Sequence, residues 1–121
     1  MSDRATLVLG ASPDPQRYSH LAVKRLVGHG HAVVAVGRRA GSVEGVRIEG
    51  ELPPGAAIDT ITIYLNIDNQ RMWEDRLLAL APRRIIFNPG AENPAFARRA
   101  AEAGIETLDA CTLVLLSLGT F

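Results

Sequence analysis

The stretch Thr6-Leu7-Val8-Leu9-Gly10-Ala11-Ser12 is a continuous apolar run that ends in a turn of small residues. Such a run is typical of a strand that is buried on both faces of a parallel sheet. A helix is predicted from about Ser19, and a second buried strand at residues 32–36 ends at Gly37-Arg38-Arg39. The two strands and the helix form a βαβ unit of roughly thirty residues, the length that such a unit needs.

Strands and helices continue to alternate along the rest of the chain. Further strands are predicted at residues 46–48, 60–65, 84–87 and 105–108. Helices are predicted at residues 69–81 and from Asn93-Pro94, an N-cap followed by proline at the first helical position, to Gly104. The apolar tail, residues 112–118, fits a helix or a strand. The alternation predicts one α/β domain, residues 1–121, with a single doubly wound Rossmann-like parallel sheet and helices on both faces.

The overall composition excludes several classes of partner. Thirteen basic and thirteen acidic residues cancel, whereas a nucleic-acid or anionic-membrane surface needs a basic excess. The single cysteine cannot form an internal disulfide, and no Cys/His cluster has the spacing of a zinc site. The first apolar run is far shorter than a signal peptide or a membrane span. We expect a cytoplasmic protein that binds no nucleic acid, membrane or metal, and its oligomeric state stays open.

The loops that follow the predicted strands suit a phosphate-bearing nucleotide, because ligands of open α/β sheets bind beyond the carboxyl ends of the strands. Gly10-Ala11-Ser12 would let backbone amides approach an anion at a helix N-terminus. The dinucleotide fingerprint G-x-G-x-x-G is absent, which argues against a standard NAD site. Arg38 and Arg39 stand where NAD enzymes carry an acidic residue, and guanidinium groups suit a phosphate on the ribose. These residues fit NADP and coenzyme A (CoA) equally, and a pair of solvated surface arginines is the other interpretation.

Four further features occur in one order along nearly the whole chain. They are the opening strand with its Ser12-Pro13-Asp14-Pro15 loop and Tyr18-Ser19, then Val36-Gly37-Arg38, then residues 85–94, and finally Cys111-Thr112-Leu113-Val114. The most specific piece is Asn88-Pro89-Gly90 followed by Glu92-Asn93-Pro94. This pattern resembles the CoA-binding domain family, small stand-alone Rossmann-like proteins that are similar to the N-terminal CoA-binding domain of the succinyl-CoA synthetase alpha subunit.

The resemblance implies a CoA site and a place for each residue in it. The pyrophosphate region would be lined by Gly10, Ala11, Ser12, Pro13, Tyr18 and Ser19. The ribose phosphate or adenine end would meet Arg38 and Arg39, after Gly37. The ligand's path would be flanked by Asn66, Pro89, Gly90 and Ala91. Many relatives have Asn-Pro-Lys or Ser-Pro-Lys where this chain has Gly37-Arg38-Arg39, so a cation is kept but its contact geometry differs.

Cys111 follows the last predicted strand, at the rim where the thiol end of the ligand would lie. An accessible thiolate there would allow a mixed disulfide with CoA. The other interpretation, which we favour, is a small buried residue at the start of the apolar tail.

The sequence shows no set of residues for catalysis. The synthetase that the chain resembles also needs a phosphorylated histidine and a nucleotide-grasping partner, and both lie outside its CoA-binding domain. We therefore expect non-catalytic binding of CoA or a short acyl-CoA. The alternatives are a small NADP-dependent oxidoreductase and a subunit that lends its CoA site to a separate acyl-CoA ligase chain.

Overall fold

Seven strands and five helices lie within residues 4–121, the part of the chain that the computed structural model describes. The strands are β1 (Ala5–Leu9), β2 (Val33–Val36), β3 (Gly41–Val43), β4 (Val46–Glu49), β5 (Ile58–Ile63), β6 (Arg84–Phe87) and β7 (Glu106–Asp109). The helices are α1 (Tyr18–Gly28), α2 (Ile67–Gln70), α3 (Glu74–Ala79), α4 (Pro94–Glu102) and α5 (Thr112–Leu118). The predicted α/β class is confirmed.

The strands form one seven-stranded sheet in the order β3-β4-β2-β1-β5-β6-β7. Strand β1 lies in the middle and pairs in parallel with β2 on one side and β5 on the other. The chain first builds the sheet outward from β1 through β2 and then crosses back to β5. This reversal opens a crevice at the carboxyl ends of β1 and β5.

Helices cover both faces of the sheet, as predicted. Leu7 and Leu9 of β1 belong to a cluster that includes residues of α3 and α4, whereas Val8 belongs to a second cluster with residues of α1 and α5. All three side chains are at most 1% exposed. Burial of each stabilises the fold by roughly 1.5–3 kcal/mol, which explains why the opening run is apolar at every position rather than at alternate ones.

One edge of the sheet differs from the prediction of a single short strand at residues 46–48. Strands β3 and β4 form an antiparallel hairpin, so the sheet is not parallel throughout. Its two-residue turn, Glu44-Gly45, has positive φ at both positions, 50° and 80°. This is the combination that a type I′ hairpin turn requires. The prediction missed β3 because Asn or Asp, rather than Glu, usually precedes the glycine of such a turn.

The single helix predicted at residues 69–81 is wrong, because two short helices stand in its place. Asn66 caps α2 by accepting a hydrogen bond from the Asn69 amide at 2.9 Å, so the helix begins earlier. Between α2 and α3, the Trp73 amide donates to the carbonyl of Gln70, three residues back. A turn of three residues places Gln70 and Trp73 on the same side, and both are buried. A tighter three-residue turn, which buries both side chains, therefore stands where a continuous α-helix was predicted.

Two other expectations about helices have clear outcomes. Asn93 caps α4, accepting from the Phe96 amide at 3.2 Å, and Pro94 occupies the first turn. The apolar tail is helix α5, with Thr112 and Leu116 turned inward. None of the helices in residues 4–121 has the length and apolar character needed to cross a bilayer.

Candidate functional site

A cleft of about 640 Å³ lies at the carboxyl ends of β2, β1, β5 and β6. Its position is the one that the strand order predicts for a ligand. The cleft is lined by Gly10, Ala11, Ser12, Gln16, Arg17, Tyr18, Ser19, Arg38, Arg39, Tyr64, Leu65, Asn66, Asn69, Pro89, Gly90 and Ala91. Eleven of the fourteen residues that the sequence analysis assigned to the cofactor line this cleft. Pro13, Gly37 and Cys111 lie outside the lining.

The loop after β1 is fixed by its own hydrogen bonds. The amides of Gly10 and Ala11 both donate to the Val36 carbonyl, at 2.8 and 2.9 Å. They are therefore bound to β2, and amides for an anion have to come from further along the loop and the first turn of α1. The Ser12 hydroxyl accepts from the Asp14 amide at 3.1 Å. His20 Nδ1 lies 3.1 Å from the Ser12 carbonyl oxygen; since that oxygen only accepts, Nδ1 carries the hydrogen.

Gly37 and Pro13 support this loop from behind. A Cβ atom on Gly37 would lie 2.0 Å from the Ala11 carbonyl oxygen, so only glycine allows the loop to approach β2 this closely. Pro13 lies against Gly41 at the start of β3, where a Cβ would come within 2.7 Å of the proline ring. Both residues therefore shape the cleft without lining it.

The N-terminus of α1 opens into the cleft. Arg17 is the N-cap residue, its side chain makes no capping hydrogen bond, and the first turn contains no acidic residue. The first amides of a helix have no partner within the helix and carry a partial positive charge. Ser19 in this turn is buried, and Tyr18 is 74% exposed at the mouth of the cleft. This terminus is therefore suited to an anion.

Positive charge is concentrated at the same end of the cleft. Arg17, Arg38 and Arg39 line it, and the described lining residues include no Asp or Glu. Within residues 4–121, none of the three arginines forms a salt bridge. Arg76, Arg83 and Arg99, by contrast, each pair with a carboxylate. The cleft therefore holds three exposed guanidinium groups whose charge is not neutralised by a neighbouring acid.

The opposite end of the cleft is uncharged and is held by a buried side chain. Gln70 is 0% exposed. Its Nε2 donates to the carbonyls of Leu65 and Ala91, at 2.9 and 2.7 Å. Its Oε1 accepts from Asn93 Nδ2 at 2.9 Å. The loops after β5 and β6 are therefore joined through one amide group.

A second buried network lies beneath the loop after β6. Asn88 Nδ2 donates to Thr62 Oγ1 at 2.6 Å and to the Ile63 carbonyl at 3.0 Å. Its Oδ1 accepts from the Thr112 amide at 2.8 Å, and the hydroxyls of Thr62 and Thr112 lie 2.7 Å apart. Asn88 thus ties β6 to β5 and to the first residue of α5, which fixes the start of the Pro89–Gly90–Ala91 wall.

Tyr64 lies on the floor of the cleft beside this network. Its hydroxyl is buried beside Thr62 and Thr112, whose hydroxyls already bond to each other, and it makes no hydrogen bond of good geometry within the described residues. Burial raises the pKa of Tyr64 to about 12, because the phenolate would be poorly solvated there. Cys111 is close enough to Tyr64 to influence it and is half-buried, at the N-cap of α5. The cysteine is therefore near the tyrosine but does not line the cleft.

Five of the lining residues were not assigned to the site from the sequence, and neither was the buried Gln70; the five are Gln16, Arg17, Tyr64, Leu65 and Asn69. Gln16 and Arg17 fell in a segment that its prolines marked as loop, although Arg17 lies only two residues before the predicted helix start at about Ser19 and so could have been placed at its N-terminus. Gln70 gave no signal, because a glutamine within a predicted helix is normally an exposed residue. Only the fold brings its amide between two loops.

Comparisons with known proteins agree with this geometry. The sequence profile of the CoA binding domain family matches residues 4–117. The crystal structure of an uncharacterized protein is 45% identical over 100% of both chains, with a TM-score of 0.93. A protein from Thermus thermophilus is 24% identical, with 98% of this chain and 90% of that chain covered and a TM-score of 0.85.

A hypothetical protein from Pyrococcus horikoshii is 19% identical, with 92% of this chain and 80% of that chain covered and a TM-score of 0.82. Like the Thermus protein, it shows a shared fold only. The search of curated proteins gave no match. Because the family profile spans nearly the whole chain, the protein belongs to the CoA-binding domain family.

Proposed function

We propose that the protein binds CoA or a short acyl-CoA in this cleft and does not itself catalyse a reaction. The observation that carries the proposal is the division of the cleft into a cationic end and an uncharged end. Arg17, Arg38, Arg39 and the N-terminus of α1 form the first end, and the loops after β5 and β6 form the second. Membership of the CoA-binding domain family supports the same ligand.

The cationic end suits the phosphorylated half of CoA. That half carries a pyrophosphate and a 3′-phosphate on the ribose, and each is an anion that guanidinium groups and helix N-termini bind well. We assign the 3′-phosphate to Arg38, with Arg39 beside it, since both follow β2. The pyrophosphate is assigned to the first turn of α1, because the amides of Gly10 and Ala11 already donate to Val36.

The uncharged end suits the pantetheine arm. Strands β2 and β6 are separated by β1 and β5, so their ends lie about 14 Å apart at the usual spacing of about 4.8 Å between strands. An elongated ligand is needed to span this distance. CoA has the required polarity, with its phosphates at one end and an uncharged amide-containing arm at the other.

The lining also supports binding rather than catalysis. Among the described residues that line the cleft there is no Asp, Glu, His, Lys or Cys. The hydroxyls in the lining, those of Ser12, Ser19, Tyr18 and Tyr64, become nucleophiles only with an adjacent base, which Asp, Glu, His or Lys would usually supply. A reaction at the bound thioester would therefore need a second protein, as in the ligase-subunit alternative. The cytoplasmic location stays a prediction.

Isothermal titration of the protein with CoA, acetyl-CoA, NADP and NAD tests the proposal. We expect CoA and acetyl-CoA to bind with similar affinity, and NADP and NAD to bind at least about tenfold more weakly. Tight binding of NADP without any response to CoA would replace the proposal with the oxidoreductase alternative. Co-purification of a ligase chain would instead assign the site to a shared enzyme.

A further inference from the structure

Gln70 has every polar group of its side chain used in bonds between loops. Its amide nitrogen donates to the carbonyls of Leu65 and Ala91, and its oxygen accepts from Asn93. The side chain is 0% exposed, so these bonds are shielded from water. A buried polar group that loses its partner has neither a protein nor a water hydrogen bond, so its full desolvation cost is left uncompensated. The carbonyls of Leu65 and Ala91 therefore depend on Gln70 and on no other side chain of the described residues, whereas Asn93 Nδ2 also reaches Glu74 Oε2 at 3.5 Å.

The groups that Gln70 joins belong to two walls of the cleft. Leu65 lies in the wall after β5, and Ala91 lies in the wall after β6. Asn93 follows the second wall and caps α4 through its Oδ1. Gln70 thus fixes the distance between the two walls and anchors one of them to the start of a helix.

We propose that Gln70 is a positioning residue that sets the width of the channel for the uncharged arm of the ligand. This inference rests on the proposed function, because it takes the arm to lie between the walls after β5 and β6. Gln70 itself does not line the cleft. Its effect on binding passes through the carbonyls that it holds and through the Pro89–Gly90–Ala91 wall.

A positioning role predicts a selective loss. The phosphate-binding end is built on β1, β2 and α1, and Gln70 makes no hydrogen bond to any of these elements within the described residues. Loosening the two walls should therefore weaken contacts with the arm and leave contacts with the phosphates unchanged. A general loss of stability would weaken both kinds of contact together.

Two variants and two ligands separate these outcomes. Gln70→Met keeps the length of the side chain but removes all three bonds. Asn93→Ser keeps a hydroxyl that can cap α4 and removes the bond to Gln70 together with the longer contact to Glu74 at 3.5 Å. Each is titrated with CoA and with adenosine 3′,5′-bisphosphate, which lacks the arm. We expect Gln70→Met to weaken CoA binding about tenfold and Asn93→Ser about threefold, while the affinity for the bisphosphate changes less than about twofold.

Leu77→Ala is the matched control, because Leu77 is also 0% exposed but packs only within the apolar core. It should destabilise the fold without changing the ratio of the two affinities. The inference is overturned when the Gln70 and Asn93 variants lower both affinities in proportion, or lower neither. Should Gln70→Met not fold, Asn93→Ser decides alone. Failure of the wild type to bind CoA overturns the proposed function, and the inference with it.

Discussion

Gly37 shows how one residue decides the shape of the cleft. Its Cα lies against the carbonyl of Ala11, and a methyl group there would meet the oxygen at 2.0 Å. The amides of Gly10 and Ala11 are hydrogen-bonded to the carbonyl of Val36, the residue before Gly37, so the loop cannot move away from Gly37 without losing these bonds. The requirement for glycine comes from this close approach of two backbones.

Gly37→Ala should therefore cost stability, by roughly 3 kcal/mol, because the loop and β2 must separate to admit the methyl group. Gly28→Ala is the matched control, since a Cβ there meets nothing within 4 Å and alanine favours the helix by up to about 1 kcal/mol. Urea unfolding measures both. Equal effects at the two glycines would contradict the close packing at Gly37.

The buried hydroxyl of Tyr64 predicts that the stability of the fold depends on pH in the alkaline range. Its pKa is raised from 10.0 in the unfolded chain to about 12 in the fold. Folding therefore favours the neutral hydroxyl. Its contribution to the free energy of unfolding is fully present below pH 10 and is lost as the pH rises towards 12. The full loss is roughly 2–3 kcal/mol. Unfolding free energies measured between pH 9 and 12 should fall in the wild type and stay higher in Tyr64→Phe.

The same substitution removes a buried hydroxyl that makes no hydrogen bond of good geometry, so Tyr64→Phe should also raise the free energy of unfolding at neutral pH, by at most about 1 kcal/mol. Tyr18→Phe serves as the control, because Tyr18 is 74% exposed and its hydroxyl is already solvated. An alkaline profile that shifts with Tyr18 and not with Tyr64 would show that the buried hydroxyl has been misidentified.

At the scale of elements, Asn88 joins two strands and a helix through a single side chain. It bonds Thr62 and the Ile63 carbonyl on β5, and it accepts from the Thr112 amide at the start of α5. Asn88→Ala should cost roughly 3 kcal/mol, because it leaves buried groups unpaired and opens a small cavity. Asn69→Ala, at an exposed position, should change stability by less than about 0.5 kcal/mol. Thermal or urea unfolding that ranks the two variants equally would contradict this role.

Elements whose signal is local were predictable, and elements shaped by distant contacts were not. The apolar run of β1 and the helix start at Asn93-Pro94 could be predicted, because the residues that cause each element are adjacent in the sequence. The interruption between α2 and α3 depends on Gln70 reaching Ala91, twenty-one positions along the chain, and no local pattern contains that bond. The hairpin at Glu44-Gly45 was missed for a different reason, since glutamate is an unusual residue at a positive φ.

The residues of the candidate site also divide into those that local sequence predicts and those that depend on distant contacts. Gly10, Arg38 and Gly90 were found because the ends of parallel strands meet at one edge of a sheet, which the order of elements already predicts. Arg17 and Gln70 were missed because their role depends on where α1 and α2 begin. Gly37 was assigned to the ligand, whereas it contacts the loop that lines the cleft.

In the whole molecule, a neutral chain carries an uneven distribution of charge. Its basic and acidic residues balance, yet three unpaired arginines face one end of one cleft. A field of this kind attracts anionic ligands without making the protein a general polyanion binder. The proposed function therefore depends on whether the phosphates of the ligand contact these arginines.

The most direct measurement is a calorimetric cycle in which the wild type and Arg38→Ala are each titrated with CoA and dephospho-CoA. We expect the wild type to bind CoA about tenfold more tightly, since the 3′-phosphate meets a guanidinium. Arg38→Ala should bind both ligands equally, and Arg25→Ala, at the other end of α1, should keep the wild-type ratio. Equal binding of the two ligands by the wild type, or an unchanged preference in Arg38→Ala, would contradict the assignment of the cationic end to the 3′-phosphate of CoA.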